Sequence, residues 1–222
     1  MVRVMDTPLN IVPPAFGADF QDSFDTLLKW RRDVRRFKSD PVPDDLLTEL
    51  LGLAALAPSV GNSQPWRFVD VQSQGKRAAI RDHFQTCNAQ ALNDYHGEQA
   101  KLYAQLKLSG MDKAPTQIAV FCDHGSERGH GLGKKTMPET LNYSVVMAVH
   151  TLWLAARARG VGVGWVSILE PNQVETILDA QDGWAFVAYL CIGWPEEEHD
   201  DPELVRFGWQ DRVDVSKFIF KR

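Results

Sequence analysis

The chain has 222 residues, 44% hydrophobic and 10% aromatic, enough to bury the core of a single domain spanning residues 1–222. A formal net charge of −5 argues against nucleic acid or an anionic membrane as a partner, and no run approaches the roughly 18 apolar residues of a membrane span. Cys87, Cys122 and Cys191 are odd in number, widely spaced and without a CxxC, so they supply no metal framework and fit a reducing compartment.

The N-terminal MVRVMDTPLN lacks the apolar core of a signal peptide. A cytoplasmic protein is expected, with a flexible N-terminus over about residues 1–20. DSFDTLLKWRR, from Asp22, reads as a first helix, with Asp22 or Ser23 as N-cap and Phe24, Leu27 and Leu28 at helical spacing. RRDVRRF follows at residues 31–37. PDDLLTELLGLAALA, from Pro43, predicts a stronger helix stopped at Pro58, where the loop PSVGNSQPW begins. WRFVDVQ, from Trp66, predicts a strand.

Residues 76–113 are polar and helical in pattern, with a thin apolar stripe between Ala91 and Leu108, as a lid or partner-facing excursion has; the lid itself is expected over about residues 85–113. QIAVFCD predicts a second strand. PETLNYSVVMAVHTLWLAARARG, from Pro138, predicts the best helix, with Leu141, Val145, Val149, Leu152 and Ala156 on one face and Gly160 as its stop. VGVGWVSIL and AFVAYLCIGW predict two more strands around the short helix PNQVETILDA, and a polar tail runs from about residue 195 to 222. Elements that do not repeat as βαβ units predict an α+β fold, a small, mostly antiparallel sheet flanked by helices. The central helix is apolar on a second side too (Val146, Met147), which predicts a homodimer.

Most motif-like stretches carry no chemistry. GVGVG, from Gly160, precedes a strand and opens no helix, so it is no dinucleotide loop; GHGLGKKT has Arg128 where a phosphate loop requires glycine. Cys122, Asp123, His124 and His130 match no zinc spacing, so no metal is expected. EEEHDD, from Glu196, reads as a solvated acidic loop. RRDVRRF differs. In an extended chain Arg31, Asp33 and Arg35 project to one side and Arg32, Val34 and Arg36 to the other. Arginine forks suit a phosphate monoester, although a surface ion-pair network around Asp33 explains the same residues. Ser59, Asn62, Ser63 and Gln64 suit the hydroxyls and ring amides of a ligand, or ordinary turn chemistry.

Together, RRDVRRF, PSVGNSQPW, GVGWVSI and the order of elements resemble the FMN-binding nitroreductase family over about residues 20–213. Family members carry a basic residue, then usually serine two positions on, then arginine, and later PSxxNxQPW. Here Asp33 stands where serine is usual, Ser167 follows the strand glycine, and AQALNDYHGEQAKLYAQLKLSGMDKAP differs from the segment ordinary members have. These features resemble the branch that consumes its own reduced FMN with O2 to form 5,6-dimethylbenzimidazole, the lower ligand of cobalamin.

The resemblance implies an interlocked homodimer whose tail, residues 195–222, packs on the partner. It implies that Arg31, Arg32, Arg35 and Arg212 hold the FMN phosphate and pyrimidine edge, with Arg206 the alternative to Arg212. Ser59, Asn62 and Gln64 would reach FMN bound by the other subunit, and backbone groups of Gly164 and Trp165 would lie near flavin N5. Asp33 and Ser167 would be the catalytic pair, Asp33 handling a proton and Ser167 orienting the flavin. The reduced flavin would come from a separate flavin reductase or from NAD(P)H on the protein itself. An NAD(P)H-dependent nitroreductase or flavin reductase and a non-enzymatic FMN carrier are the competing readings; Asp33 with Ser167 separates the flavin-consuming reading from the nitroreductase, and the closed-lid architecture stands against the carrier.

Overall fold

The computed structural model describes residues 12–222; residues 1–11, the larger part of the expected flexible N-terminus, lie outside the described residues. Four strands, β1 (Trp66–Asp70), β2 (Thr116–Asp123), β3 (Gly162–Val166) and β4 (Trp184–Gly193), form one sheet in the order β1-β2-β4-β3 with every neighbour antiparallel. This is the expected α+β architecture.

The two central strands, β2 and β4, explain the layers. Ile118, Val120, Cys122, Ala188, Leu190 and Ile192 pack with α2 (Asp44–Ala54) and α5 (Thr140–Arg157) on one face. Ala119, Phe121, Tyr189 and Cys191 pack with α3 (Gln74–Leu92) and α6 (Pro171–Ile177) on the other. Strands covered on both faces read as continuous apolar runs, which is how QIAVFC reads. In α5 the buried residues are those of the expected face, Leu141, Val145, Val149, Leu152 and Ala156 among them, while Tyr143, Val146 and Met147 are exposed. Gly160 closes α5 at φ 72°, with its own N–H bonded to the Arg157 carbonyl and that of Val161 to the Ala156 carbonyl.

Several boundaries differ from expectation. The first helix, α1, spans Ala18–Trp30 with Gly17 as N-cap, and begins four residues before Asp22. Asp22 and Ser23 lie inside it, where the Ser23 hydroxyl donates back to the Asp19 carbonyl at 2.7 Å. The lid segment forms α3 and α4 (Gly97–Gln105), and only Ile80, Phe84 and Tyr103 are buried along these helices.

The acidic run is not simply solvated. After β4 the chain returns beside residues 31–37, with Phe37 bridged to Pro195. There Glu196 pairs with Lys113, Glu197 with Arg36, Glu198 with Arg157 and Asp201 with Arg206. The tail, residues 195–222, for which packing on a partner is expected, also makes contacts within its own chain, through Trp209 and Arg212 among others. The Trp209 contact is aromatic: beyond the short α7 (Glu203–Arg206), Trp209 stands 5.4 Å from Tyr95 and 6.1 Å from Tyr103, ring centre to ring centre. Past Trp209, Val213, Val215, Phe218, Ile219 and Phe220 are exposed. Among the described residues no helix is long and apolar enough to cross a membrane.

Candidate active site

Residues 31–37 leave α1 in extended form and lie along the free edge of β3. The Val34 N–H donates to the Val163 carbonyl at 3.0 Å, and Asp33 pairs in parallel with Val163. The glycines of GVGVG make this approach possible. A Cβ on Gly164 would stand 2.1 Å from the Val34 carbonyl oxygen, and one on Gly162 would stand 2.8 Å from a Val34 methyl. What resembles a nucleotide loop is the seat for the arginine strand.

That seat fixes Asp33. Its Oδ1 accepts from the Trp165 backbone N–H at 2.8 Å and its Oδ2 from Arg35 Nε at 2.8 Å. Arg35 Nη1 in turn donates to the Lys107 carbonyl at 2.8 Å, in the segment after α4. The Arg35 side chain is 13% exposed and that of Asp33 31%, so this is a largely desolvated pair that still faces open space.

The remaining arginines sort by counter-ion. Arg36 pairs with Glu203 at 3.0 Å and with Glu197, Arg157 with Glu198, and Arg206 with Asp201. Among the described residues, Arg31, Arg32 and Arg212 enter no ion pair, yet with Asp33 and Arg35 they line one cavity of about 230 Å³. The Arg31 guanidinium lies 4.8 Å above the centre of the Trp153 ring. Burial holds both Arg31 and Arg32 below the usual arginine range; Asp33 offsets part of this at Arg31, and Arg212 adds like-charge repulsion to each. The Arg32 Nε is buried without a partner, while another of its nitrogens bonds the Lys29 carbonyl. Arg32 lines the cavity with Arg31, against the alternation expected of an extended chain. Desolvated, unpaired cations with an unsatisfied donor are what a bound phosphate would complete. On these observations the residues fit FMN.

The other predicted residues fall into two groups. Ser59, Asn62 and Gln64 form their own turn: the Gln64 N–H donates to Ser59 Oγ at 3.0 Å, and the Gln64 amide to Asn62 Oδ1 at 3.2 Å. Gly61, Asn62 and Gln64 all have positive φ, at 57°, 53° and 48°. The turn is wedged by the glycine-rich stretch that failed as a phosphate loop, because a Cβ on Gly129 would meet the Gly61 carbonyl oxygen at 2.7 Å. The arginine-lined cavity includes none of these three residues. Ser167 lies one residue past β3, exposed and outside that cavity. Arg212 lines the cavity and Arg206 does not, being committed to Asp201.

Trp153, the Lys107 carbonyl and the close contact of Gly110 with Phe37 complete the surroundings, and the sequence gives little sign of them. Trp153 was legible only as a helix residue. Of the residues set aside as metal ligands, Cys122 is buried, which pushes its thiol up to about 11, and Asp123 is paired with Arg67.

A sequence model of the nitroreductase family matches residues 28–194. The chain is similar to the 5,6-dimethylbenzimidazole synthase of Rhodospirillum rubrum, 59% identical over 90% of this chain and 94% of that one. It is also similar to the enzyme of the same name from Rhodobacter capsulatus, 48% identical over 89% of this chain and 96% of that one. Among solved structures, an iodotyrosine deiodinase bound to FMN and 3-iodo-L-tyrosine superposes with a TM-score of 0.67, at 25% identity over 79% of this chain and 91% of that one. With the family match covering most of its length and these relatives covering nearly all of it, the chain belongs to the nitroreductase family.

Proposed function

We propose that the chain is an enzyme that fragments reduced FMN with molecular oxygen to 5,6-dimethylbenzimidazole, the lower ligand of cobalamin. The observation that carries this reading is Asp33, a carboxylate held at both oxygens on the rim of a cavity lined by Arg31, Arg32 and Arg212, which enter no ion pair among the described residues. The names of the two curated relatives support the reaction, and the FMN in the deiodinase structure supports the flavin.

Arg31, Arg32 and Arg212 bind the flavin phosphate and balance the negative charge of the reduced ring system. Gly164 and Trp165 present backbone along the flavin edge, and Ser59, Asn62 and Gln64 reach the flavin of a second subunit. The bound flavin supplies the reaction with oxygen; the protein orients it and excludes water. Asp33 holds and moves the proton, since Glu203, the other acid lining this cavity, is committed to Arg36, and Ser167 hydrogen-bonds the flavin. The homodimer is supported by the exposed apolar residues of α1 (Phe20, Phe24, Leu28), α5 (Tyr143, Val146, Met147) and the tail (Phe218, Ile219, Phe220). Three free cysteines fit a cytoplasmic protein.

The direct test is Asp33→Asn. FMN affinity should stay within about threefold of wild type while product formation falls about a hundredfold or more, the range of a lost acid or base. Undiminished product formation by Asp33→Asn would remove Asp33 from the chemistry. Steady NADH oxidation with FMN recovered intact would instead mark a nitroreductase.

A further inference from the structure

The chain that returns from α4 is fastened to the strand bearing Asp33 at two points. At the first, one guanidinium serves both sides: Arg35 Nε holds Asp33 Oδ2 and Nη1 holds the Lys107 carbonyl, each at 2.8 Å. At the second, Gly110 lies flat on Phe37. A Cβ at residue 110 would stand 2.3 Å from the Phe37 ring and 3.4 Å from the Arg35 carbonyl oxygen. Gly110 and Phe37 are both buried, so the second contact is close-packed.

Taking Asp33 as the proton-handling group, as proposed above, we infer that Arg35 is a positioning residue that couples the seating of residues 106–110 to Asp33 and is not a phosphate ligand. Two of its three nitrogens are already committed, to a carboxylate and a carbonyl, whereas Arg31, Arg32 and Arg212 have no ion-pair partner among the described residues. A guanidinium donates from a rigid planar fork, so the position of one acceptor constrains the other. With residues 106–110 seated, Trp165 N–H and Arg35 Nε together fix both oxygens of Asp33. With them lifted, Arg35 loses its carbonyl and Oδ2 loses a held partner. Proton handling at Asp33 is then aligned only when the segment that excludes water is closed.

Hydrogen exchange of the full-length protein without flavin reads this coupling without any turnover. In Arg35→Gln and Gly110→Ala, amides of residues 106–110 should exchange about tenfold faster or more, with β2 amides unchanged as the control for an intact fold. The deciding variant is Asp33→Asn, because Asp33 makes no hydrogen bond of its own to that segment and reaches it through Arg35. It too should accelerate exchange at residues 106–110; an unchanged rate overturns the inference. FMN titration supplies the second arm: Arg35→Gln should bind within about threefold of wild type and Arg31→Gln at least about tenfold more weakly. Equal losses would make Arg35 a phosphate ligand and overturn its assignment. Should wild-type protein return FMN intact in air, the proposed reaction fails, while the exchange result stands or falls separately.

Discussion

Arg31, Arg32 and Arg212 repel one another around a single cavity, an effect offset at Arg31 by nearby Asp33, and among the described residues no carboxylate is paired to any of them. A folded chain keeps such an arrangement where an anion is to be bound. Arg212→Ala should therefore weaken FMN binding about tenfold at low ionic strength and less as salt rises, whereas Arg206→Ala should change it by less than about twofold. Isothermal titration in two salt concentrations distinguishes them. The buried thiols give a pH prediction. Burial pushes Cys122 up to about 11 and Cys191 up to about 12 from an ordinary value of 9.0. A raised folded-state value contributes stability that is whole below pH 9 and is lost as pH climbs through 11 and 12. Denaturant midpoints should fall over that window, and at pH 8 iodoacetamide should label Cys87 while sparing both buried thiols. At this scale the sequence was legible where short-range alternation decides, as for Asp33 beside Arg35. It was silent on Gly110, whose value lies in a Phe37 ring 73 residues away in the chain, 110 minus 37.

The arginine strand sits where it does because β3 offers glycine at alternate positions. Gly164→Ala should be the most damaging single methyl in the protein, since the Val34 carbonyl oxygen lies 2.1 Å from where that methyl would go. Loss of about 3 kcal/mol or more, or no folded protein, is expected from overpacking against backbone, and thermal denaturation measures it. The elements themselves were readable from period and punctuation: α2, α5 and all four strands fall within a few residues of the sequence reading. What escaped it was pairing at long range. Arg36 meets Glu197 across 161 positions, so EEEHDD has no local feature that distinguishes a clamp from a solvated loop. The backward bond of Arg32 to Lys29 escaped for the opposite reason, being a side-chain choice that backbone alternation does not encode.

One chain contains the arginine cavity but keeps the 59–64 turn outside it, and it exposes Val146 and Met147 on α5 together with the apolar end of the tail. The homodimer proposed above would account for all three observations. Val146→Glu combined with Met147→Glu should yield a monomer by sedimentation, with FMN affinity reduced at least about tenfold through loss of the partner's turn. A dimer that persists with unchanged affinity would place the interface elsewhere. That the protein holds reduced flavin and fragments it is the proposed activity, and it rests on the names of the curated relatives together with the arginine cavity and the paired Asp33. The measurement closest to that claim is anaerobic loading of the full-length protein with chemically reduced FMN, admission of air, and mass spectrometry of the small molecules. Appearance of 5,6-dimethylbenzimidazole in step with loss of FMN is the predicted result; quantitative recovery of oxidised FMN would contradict it.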